Sequence, residues 1–377
     1  MNNVTLLAAI AATCFLTDAS AVLYTLTVVK AGTGSGLVTS HPEPMTGDIY
    51  CGTTCSANLV AGLDLPLMAQ PAHGSIFTGW SGACSGKLSC TVTMDAAKTV
   101  TATFDLDPNP ARLGNISTRG LVLTGTDAMI GGFEIGGSAN KTVAIVATGP
   151  SLEQLGITNP LANPKLTLVR TSDQATIASN DDWQGGCTPG MVCLTPAELT
   201  AAGFAPSHSL EAAIFINLAP GAYTAIVEGV GGGTGVSVIG VYEADGPQIP
   251  LVNISTRGRV GTGNDALIGG FVIQGSGPQP VAIVATGPSL ANVGITNPLA
   301  NPTITLVRSS DQKVLATNDD WRSDPLSSLL QAVGFAPSNA LESGLHVSLL
   351  PGAYTVIVQG VGGGTGVAVI GVYKVDP

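Results

Sequence analysis

The chain has 377 residues with 49 Gly and 24 Pro, only 14 Lys+Arg against 25 Asp+Glu, and a net charge of −11. With 45% hydrophobic residues and 10% charged ones, it is neither a disordered chain nor a helical bundle, which needs many more Glu, Lys and Arg. The glycines cluster instead of recurring at every third position, which excludes collagen, and no Lys/Arg cluster exists to bind nucleic acid or an anionic membrane. What remains is an all-β chain with many tight turns, long enough for two or three domains.

Residues 1–21 read as an export signal. Val4 to Leu16 is apolar apart from small polar residues, and Ala19-Ser20-Ala21 is a small-x-small cleavage site. Met1-Asn2-Asn3 lacks a basic residue, so a first strand or buried helix competes with that reading, as does a lipidated Cys14. The run is too short to span a bilayer, and no later stretch has ~20 uninterrupted apolar residues, so no membrane span is expected.

Residues 22–106 form the first module, with strands at Tyr24 to Val29, Asp64 to Ala69 and Thr99 to Phe104. Once the signal is removed, six cysteines remain in three close couples: Cys51/Cys55, Cys84/Cys90 and Cys187/Cys193. In an exported chain these read as disulfides, with local pairing preferred. A four-thiolate zinc site from the first two couples fits the spacings poorly. Asp107-Pro-Asn-Pro110, within 107–112, and Gly246-Pro-Gln-Ile-Pro250, at 246–250, read as stiff linkers.

Residues 113–245 and 251–377 are copies of each other. Asn115-Ile-Ser-Thr-Arg119-Gly120, Val143 to Leu152, Gly156 to Pro164 and Asn180-Asp-Asp-Trp183 all recur at an offset of 138. Gly203 to Ser207 and Pro220 to Thr224 recur at an offset of 131. Copy one therefore carries seven extra residues between Trp183 and Gly203, a stretch that contains Cys187 and Cys193. Each copy suits a β-sandwich, with strands at Lys141 to Ala147, Lys165 to Arg170, Ala222 to Glu228 and Val236 to Tyr242. Short helices are expected at Pro196 to Ala202 and Pro325 to Val333. The glycine loops Gly229 to Gly235 and Gly360 to Gly366 lie between strands, so they read as hairpin turns and not as phosphate-binding loops.

Tyr24 to Phe104 resembles the divergent internalin B-repeat. The likeness rests on Ala31-Gly-Thr-Gly-Ser-Gly36, Cys51-Gly-Thr-Thr-Cys55, Phe77-Thr-Gly-Trp-Ser-Gly-Ala-Cys84 and Cys90 to Phe104. It implies a small β-grasp-like fold on surface and secreted proteins, serving as a spacer or adhesion module without catalytic residues. The two copies resemble β-sandwich repeats of large secreted bacterial proteins. They also resemble, distantly, pre-peptidase C-terminal domains, which implies an accessory or binding role.

Asp181, Asp182, Asp319 and Asp320 in the repeated Asn-Asp-Asp-Trp word are the metal candidates. Joined by Asp127 and Asp265, they could supply part of a calcium shell, whereas the competing reading is an Asx-type turn whose Trp packs on the sandwich. Arg119 and Arg257 are expected to form structural ion pairs that staple loops, in preference to binding a ligand. Gly149-Pro-Ser-Leu152 lacks the second Gly of a nucleophile elbow, and the copies share no His, so no catalytic set and no cofactor other than calcium is expected. Trp80, Trp183 and Trp321 could form a sugar platform, but their place in repeated words favours a core role. The expectation is a secreted or surface-exposed structural or adhesive protein without catalysis. Its partners would be cell-surface or matrix polysaccharide or protein, or a second copy of itself. The alternatives are a polysaccharide-binding module, calcium-dependent or not, and an accessory part of a secreted hydrolase system.

Overall fold

The computed structural model describes residues 21–41, 49–52, 55–72, 74–188, 193–246 and 249–375. Apart from Ala21, the expected export signal lies outside the described residues. The chain is all-β and divides into two compact units, Met1–Pro108 and Asn109–Pro377.

The first unit contains β1 (Leu23–Ala31), β2 (Gly36–Thr39), β3 (Ser56–Val60), β4 (Asp64–Pro71), β5 (Ser75–Gly82), β6 (Cys90–Thr93) and β7 (Lys98–Leu106). Period-two alternation turns Leu26 and Val28 of β1, Leu65 and Leu67 of β4, and Val100, Ala102 and Phe104 of β7 into one core. β1 and β7 pair in parallel at the centre of a sheet ordered β3-β1-β7-β5, while β2, β4 and β6 make a second, antiparallel layer. No helix lies among the described residues of this unit. Disulfides join Cys51 to Cys55 and Cys84 to Cys90, the local pairing that was preferred over a zinc site. Gly32, with φ +97°, explains one glycine of the first repeat-type word, because a Cβ there would run into the carbonyl of Phe104.

The second unit begins with copy one: β8 (Arg112–Val122), β9 (Met129–Ile135), β10 (Lys141–Thr148), β11 (Pro164–Arg170), β12 (Ala175–Asn180), α1 (Pro196–Ala201), β13 (Ala212–Leu218), β14 (Gly221–Gly229) and β15 (Gly235–Glu243). Copy two repeats the series as β16 (Leu251–Val260), β17 (Leu267–Gln274), β18 (Gln279–Thr286), β19 (Pro302–Arg308), β20 (Lys313–Asn318), α2 (Ser327–Ala332), β21 (Ser343–Leu349), β22 (Gly352–Gly360) and β23 (Gly366–Lys374).

The copies are not separate domains joined by a stiff linker. β8 pairs antiparallel with β15 of its own copy and with β17 of the other, while β16 pairs with β23 and also with β9. Each first strand thus belongs to both copies. One sixteen-stranded sheet results, made of two eight-strand runs, β13-β10-β15-β8-β17-β22-β19-β20 and β21-β18-β23-β16-β9-β14-β11-β12. They meet where β8 and β16 run parallel, with Leu113 opposite Leu251 and Leu121 opposite Arg259. Both pairs match the repeat offset, so the contact is pseudo-two-fold. A single hydrophobic core spans the two copies, including Ile116 with Ile254 and Phe133 with Phe271. Burying two apolar faces in one shared core is what removes the expected boundary at 246–250. β16 starts at Leu251, and Gly136 N donates to Pro250 O.

On the pseudo-axis the buried hydroxyls of Thr118 and Thr256 lie 2.7 Å apart. Thr118→Val should leave the other hydroxyl buried and unsatisfied, at a cost of about 1–3 kcal/mol. The double valine variant should cost less than the two single variants added, which a double-mutant cycle of denaturant melts would test.

The glycine loops are a second correction. β14 pairs with β9 and β11, whereas β15 pairs with β10 and β8, so Gly229 to Gly235 arches between layers and does not close a hairpin. The apolar faces of β14 (Ala225, Val227) and β15 (Ile239, Val241) enter the shared core from different strand neighbourhoods. Gly231 and Gly232, with φ of 66° and 79°, supply the left-handed turn.

Candidate functional site

The repeated Gly-Pro-Ser-Leu word surrounds a buried carboxylate. Glu211, fully buried just before β13, accepts through Oε1 from Gly149 N at 3.0 Å, Ser151 N at 3.1 Å and Ser151 Oγ at 2.5 Å. Glu342 repeats the arrangement with Gly287 N at 3.0 Å, Ser289 N at 3.0 Å and Ser289 Oγ at 2.5 Å. The backbone carbonyls of the two glutamates accept from Trp183 N and Trp321 N, so one residue per copy ties two repeated words together. Sequence reasoning missed both glutamates. The available signal was a single acid kept at the 131 offset beside an apolar strand.

The Asn-Asp-Asp-Trp words follow β12 and β20 and form brackets around their asparagines. Asn180 accepts from Ala213 N at 2.8 Å and donates to Asp182 O at 3.0 Å and Gly186 O at 2.6 Å. Asn318 accepts from Gly344 N at 2.9 Å and donates to Asp320 O at 3.0 Å. This is the turn geometry of the competing reading. Asp181 and Asp182 are exposed, and Asp320 is half-buried. Among the described residues no group of three or more Asp, Glu, His or Cys side chains is placed to hold a metal ion, which includes Asp127, Asp181, Asp182, Asp265, Asp319 and Asp320. EDTA is accordingly expected to leave the melting curve unchanged. A lowered melting temperature that calcium restores would contradict this account.

Asp181 and Asp319 instead line equivalent clefts beside the glycine arches. The copy-one cleft is about 420 Å³, bounded by Thr124, Gly125, Lys165, Glu228 and Gly229 to Gly232. The copy-two cleft is about 470 Å³, with Thr303 in place of Lys165 and Gln359 in place of Glu228. Glycines form much of both walls, and each cleft presents polar and apolar surface in about equal parts.

Arg119 and Arg257 sit within β8 and β16, opposite Val238 and Val369, and not in loops as expected. The buried charge network lies elsewhere. Lys141, fully buried, reaches Glu243 at 3.2 Å and Asp245 at 2.8 Å, and Arg112 reaches Glu243 at 3.0 Å and Gln274 at 2.5 Å. Burial pushes the Glu243 carboxyl above its ordinary 4.5, against the opposing pull of Lys141 and Arg112. In copy two Gln279 replaces Lys141 and donates to Val375 O at 3.2 Å.

Cys187 and Cys193 form the third disulfide, inside the copy-one excursion. Trp80 and Trp321 are 5% and 3% exposed, and Trp183 packs half-buried against the Leu199 and Phe215 cluster. No Trp, Tyr or Phe is exposed among the described residues, so the aromatics are packed into cores and none lies open as a sugar platform. Among the described residues no helix is long and apolar enough to cross a membrane.

Residues 24–108 match the family model described as Divergent InlB B-repeat domain. No curated protein matches the chain.

Proposed function

We propose that the protein is an exported structural and adhesive β-scaffold that works without catalysis. The observation that carries this reading is the exchange of β8 and β16 between the copies, which welds two sandwiches into one unit with a shared core. A chain built in this way keeps its surface loops in fixed positions, as a spacer or adhesive module requires. The B-repeat match at 24–108 and the three disulfides support exposure outside the cytoplasm.

The test joins fractionation to function. The protein made in its source cell should be recovered outside the cytoplasm, with its disulfide cysteines resistant to alkylation until reductant is added. Purified protein should bind immobilised surface or matrix material and show no turnover on broad hydrolase panels. Cytosolic protein with free thiols, or turnover abolished by a point substitution in one cleft, would overturn the reading.

A further inference from the structure

Copy one holds an amine and a carboxyl in contact at a largely buried site. Lys141 opens β10, its side chain is fully buried, and its Nζ lies 2.8 Å from Asp245 Oδ1. Asp245 follows β15, the strand paired with β10, so the backbone sets the two groups against each other. Ala244 N donates to Thr142 O at 3.0 Å, and Thr142 N donates to Asp245 Oδ2 at 2.6 Å. Glu243 lies beside them with its side chain 3% exposed. Arg112 fixes its Oε2 at 3.0 Å, which leaves Oε1 for Lys141 Nζ at 3.2 Å. That Oε1 is buried and accepts no regular hydrogen bond.

Three parts of an amide-forming reaction thus meet at one place: a nucleophilic amine, a carboxyl whose second oxygen is held by a backbone N–H, and a neighbouring carboxyl with an oxygen to spare for a proton. Groups held in this way react at an effective concentration of about 10⁵ M or more, which is what condensation in water requires. Copy two has Gln279 in place of Lys141 and Lys374 in place of Glu243, so the arrangement is particular to copy one.

We propose that Lys141 and Asp245 condense into an intramolecular isopeptide bond, with Glu243 passing the proton. Transfer of one proton within the ion pair gives the neutral amine and the carboxylic acid. Lys141 Nζ then attacks Cγ of Asp245, and the Thr142 N–H steadies the charge that develops on Oδ2. Glu243 Oε1 takes the proton that Nζ sheds and delivers it to Oδ1, the Cγ–Oδ1 bond breaks, and one water leaves. Nothing is oxidised or reduced. Burial raises the Glu243 carboxyl above its ordinary value, which suits a group that must both take and give a proton. The Asp245 side chain is 33% exposed, so the water has a way out. The ion pair described above is the unreacted state, and the amide accumulates after folding. It fastens the start of β10 to the end of β15, next to the connection into copy two.

Intact mass spectrometry of the full chain, with its disulfides reduced, reads the bond directly. The mass should fall short of that calculated for its residues by one water. A tryptic digest should hold one branched peptide joining Lys141 to Asp245, uncut after Lys141. Asp245-Gly246 is also a dipeptide that loses water by closing on its own backbone, but that ring opens in mild alkali and joins no second peptide, whereas the branched peptide persists. Asp245→Ala, at a side chain that reaches solvent, should fold and keep its full mass. Glu243→Gln should slow the loss of water by about a hundredfold or more. A parent chain that keeps its full mass on long incubation would overturn the proposal. So would a water loss that alkali reverses, one that Asp245→Ala retains, or one as fast in folded Glu243→Gln as in the parent.

Discussion

Glu342→Ala is expected to destabilise the second unit by about 3–5 kcal/mol, a large fraction of the stability of an ordinary domain. The side chain is buried, and its Oε1 accepts from two backbone amides and one hydroxyl, so alanine strands three donors where water cannot reach. Ser289→Ala removes only one charge-assisted bond and should cost about 1.5–3 kcal/mol. Glu342→Gln retains the shape and an acceptor oxygen and should fall between the two. Glu211 has the same surroundings, and Glu211→Ala should match Glu342→Ala closely. Urea melts would measure all four. A loss below about 1 kcal/mol for either alanine variant would show that the repeated Gly-Pro-Ser word does not serve the carboxylate.

Lys141→Met is the second large effect, at about 3–5 kcal/mol near neutral pH, because it leaves Glu243 buried with Arg112 as its remaining cation. The pH dependence has a definite sign. The folded pKa of Glu243 is raised above 4.5 by burial, so between that value and the raised one the native state holds a proton that the unfolded chain has released. Stability contributed by this group therefore falls as pH rises through that window and is level above it. Removing Lys141 raises the folded pKa further. The deficit of Lys141→Met relative to the parent should thus shrink on acidification toward 4.5, where the carboxyl becomes neutral. Lys141→Gln combined with Glu243→Gln should cost less than Lys141→Met alone, since no buried charge is orphaned. Melts at several pH values decide the matter, and a deficit that grows toward acid would contradict the assignment.

Much of the fold was legible in the residues. Alternation placed β10, β11, β14 and β15 within a residue or two of their ends, and the spacing of cysteine couples anticipated the three local disulfides. The change of offset from 138 to 131 located the copy-one excursion, whose Thr188 bonds to Ser179 of β12.

The exchange of first strands was not legible, for a physical reason. β8 and β16 carry the same Asn-Ile-Ser-Thr-Arg-Gly word, so either can sit beside β9 or β17 with nearly the same side-chain contacts. The pattern fixes which face of a strand is buried, but it cannot tell which of two identical neighbours is used. The short connection between β15 and β16 also looks like a linker whether or not the strands exchange. Arg119 and Arg257 were assigned to loops because Gly and Ser surround them, whereas in β8 and β16 those small residues allow close approach between strands. A Cβ at Gly258, for example, would press on Leu267. Glu211 and Glu342 escaped notice because a lone acid carries no motif, and their donors lie about 60 and 53 residues earlier in the chain.

The central claim is that the two copies fold as one interleaved unit, and amide hydrogen exchange of the full chain carrying Glu342→Ala tests it most directly. Because β8 pairs with β17 and β16 with β9, a lesion in copy two should lower the protection of β9, β10 and β14 in copy one by nearly as much as that of β17, β18 and β22. Loss of protection confined to residues 251–375, with copy one unchanged, would show two independent sandwiches and contradict the account.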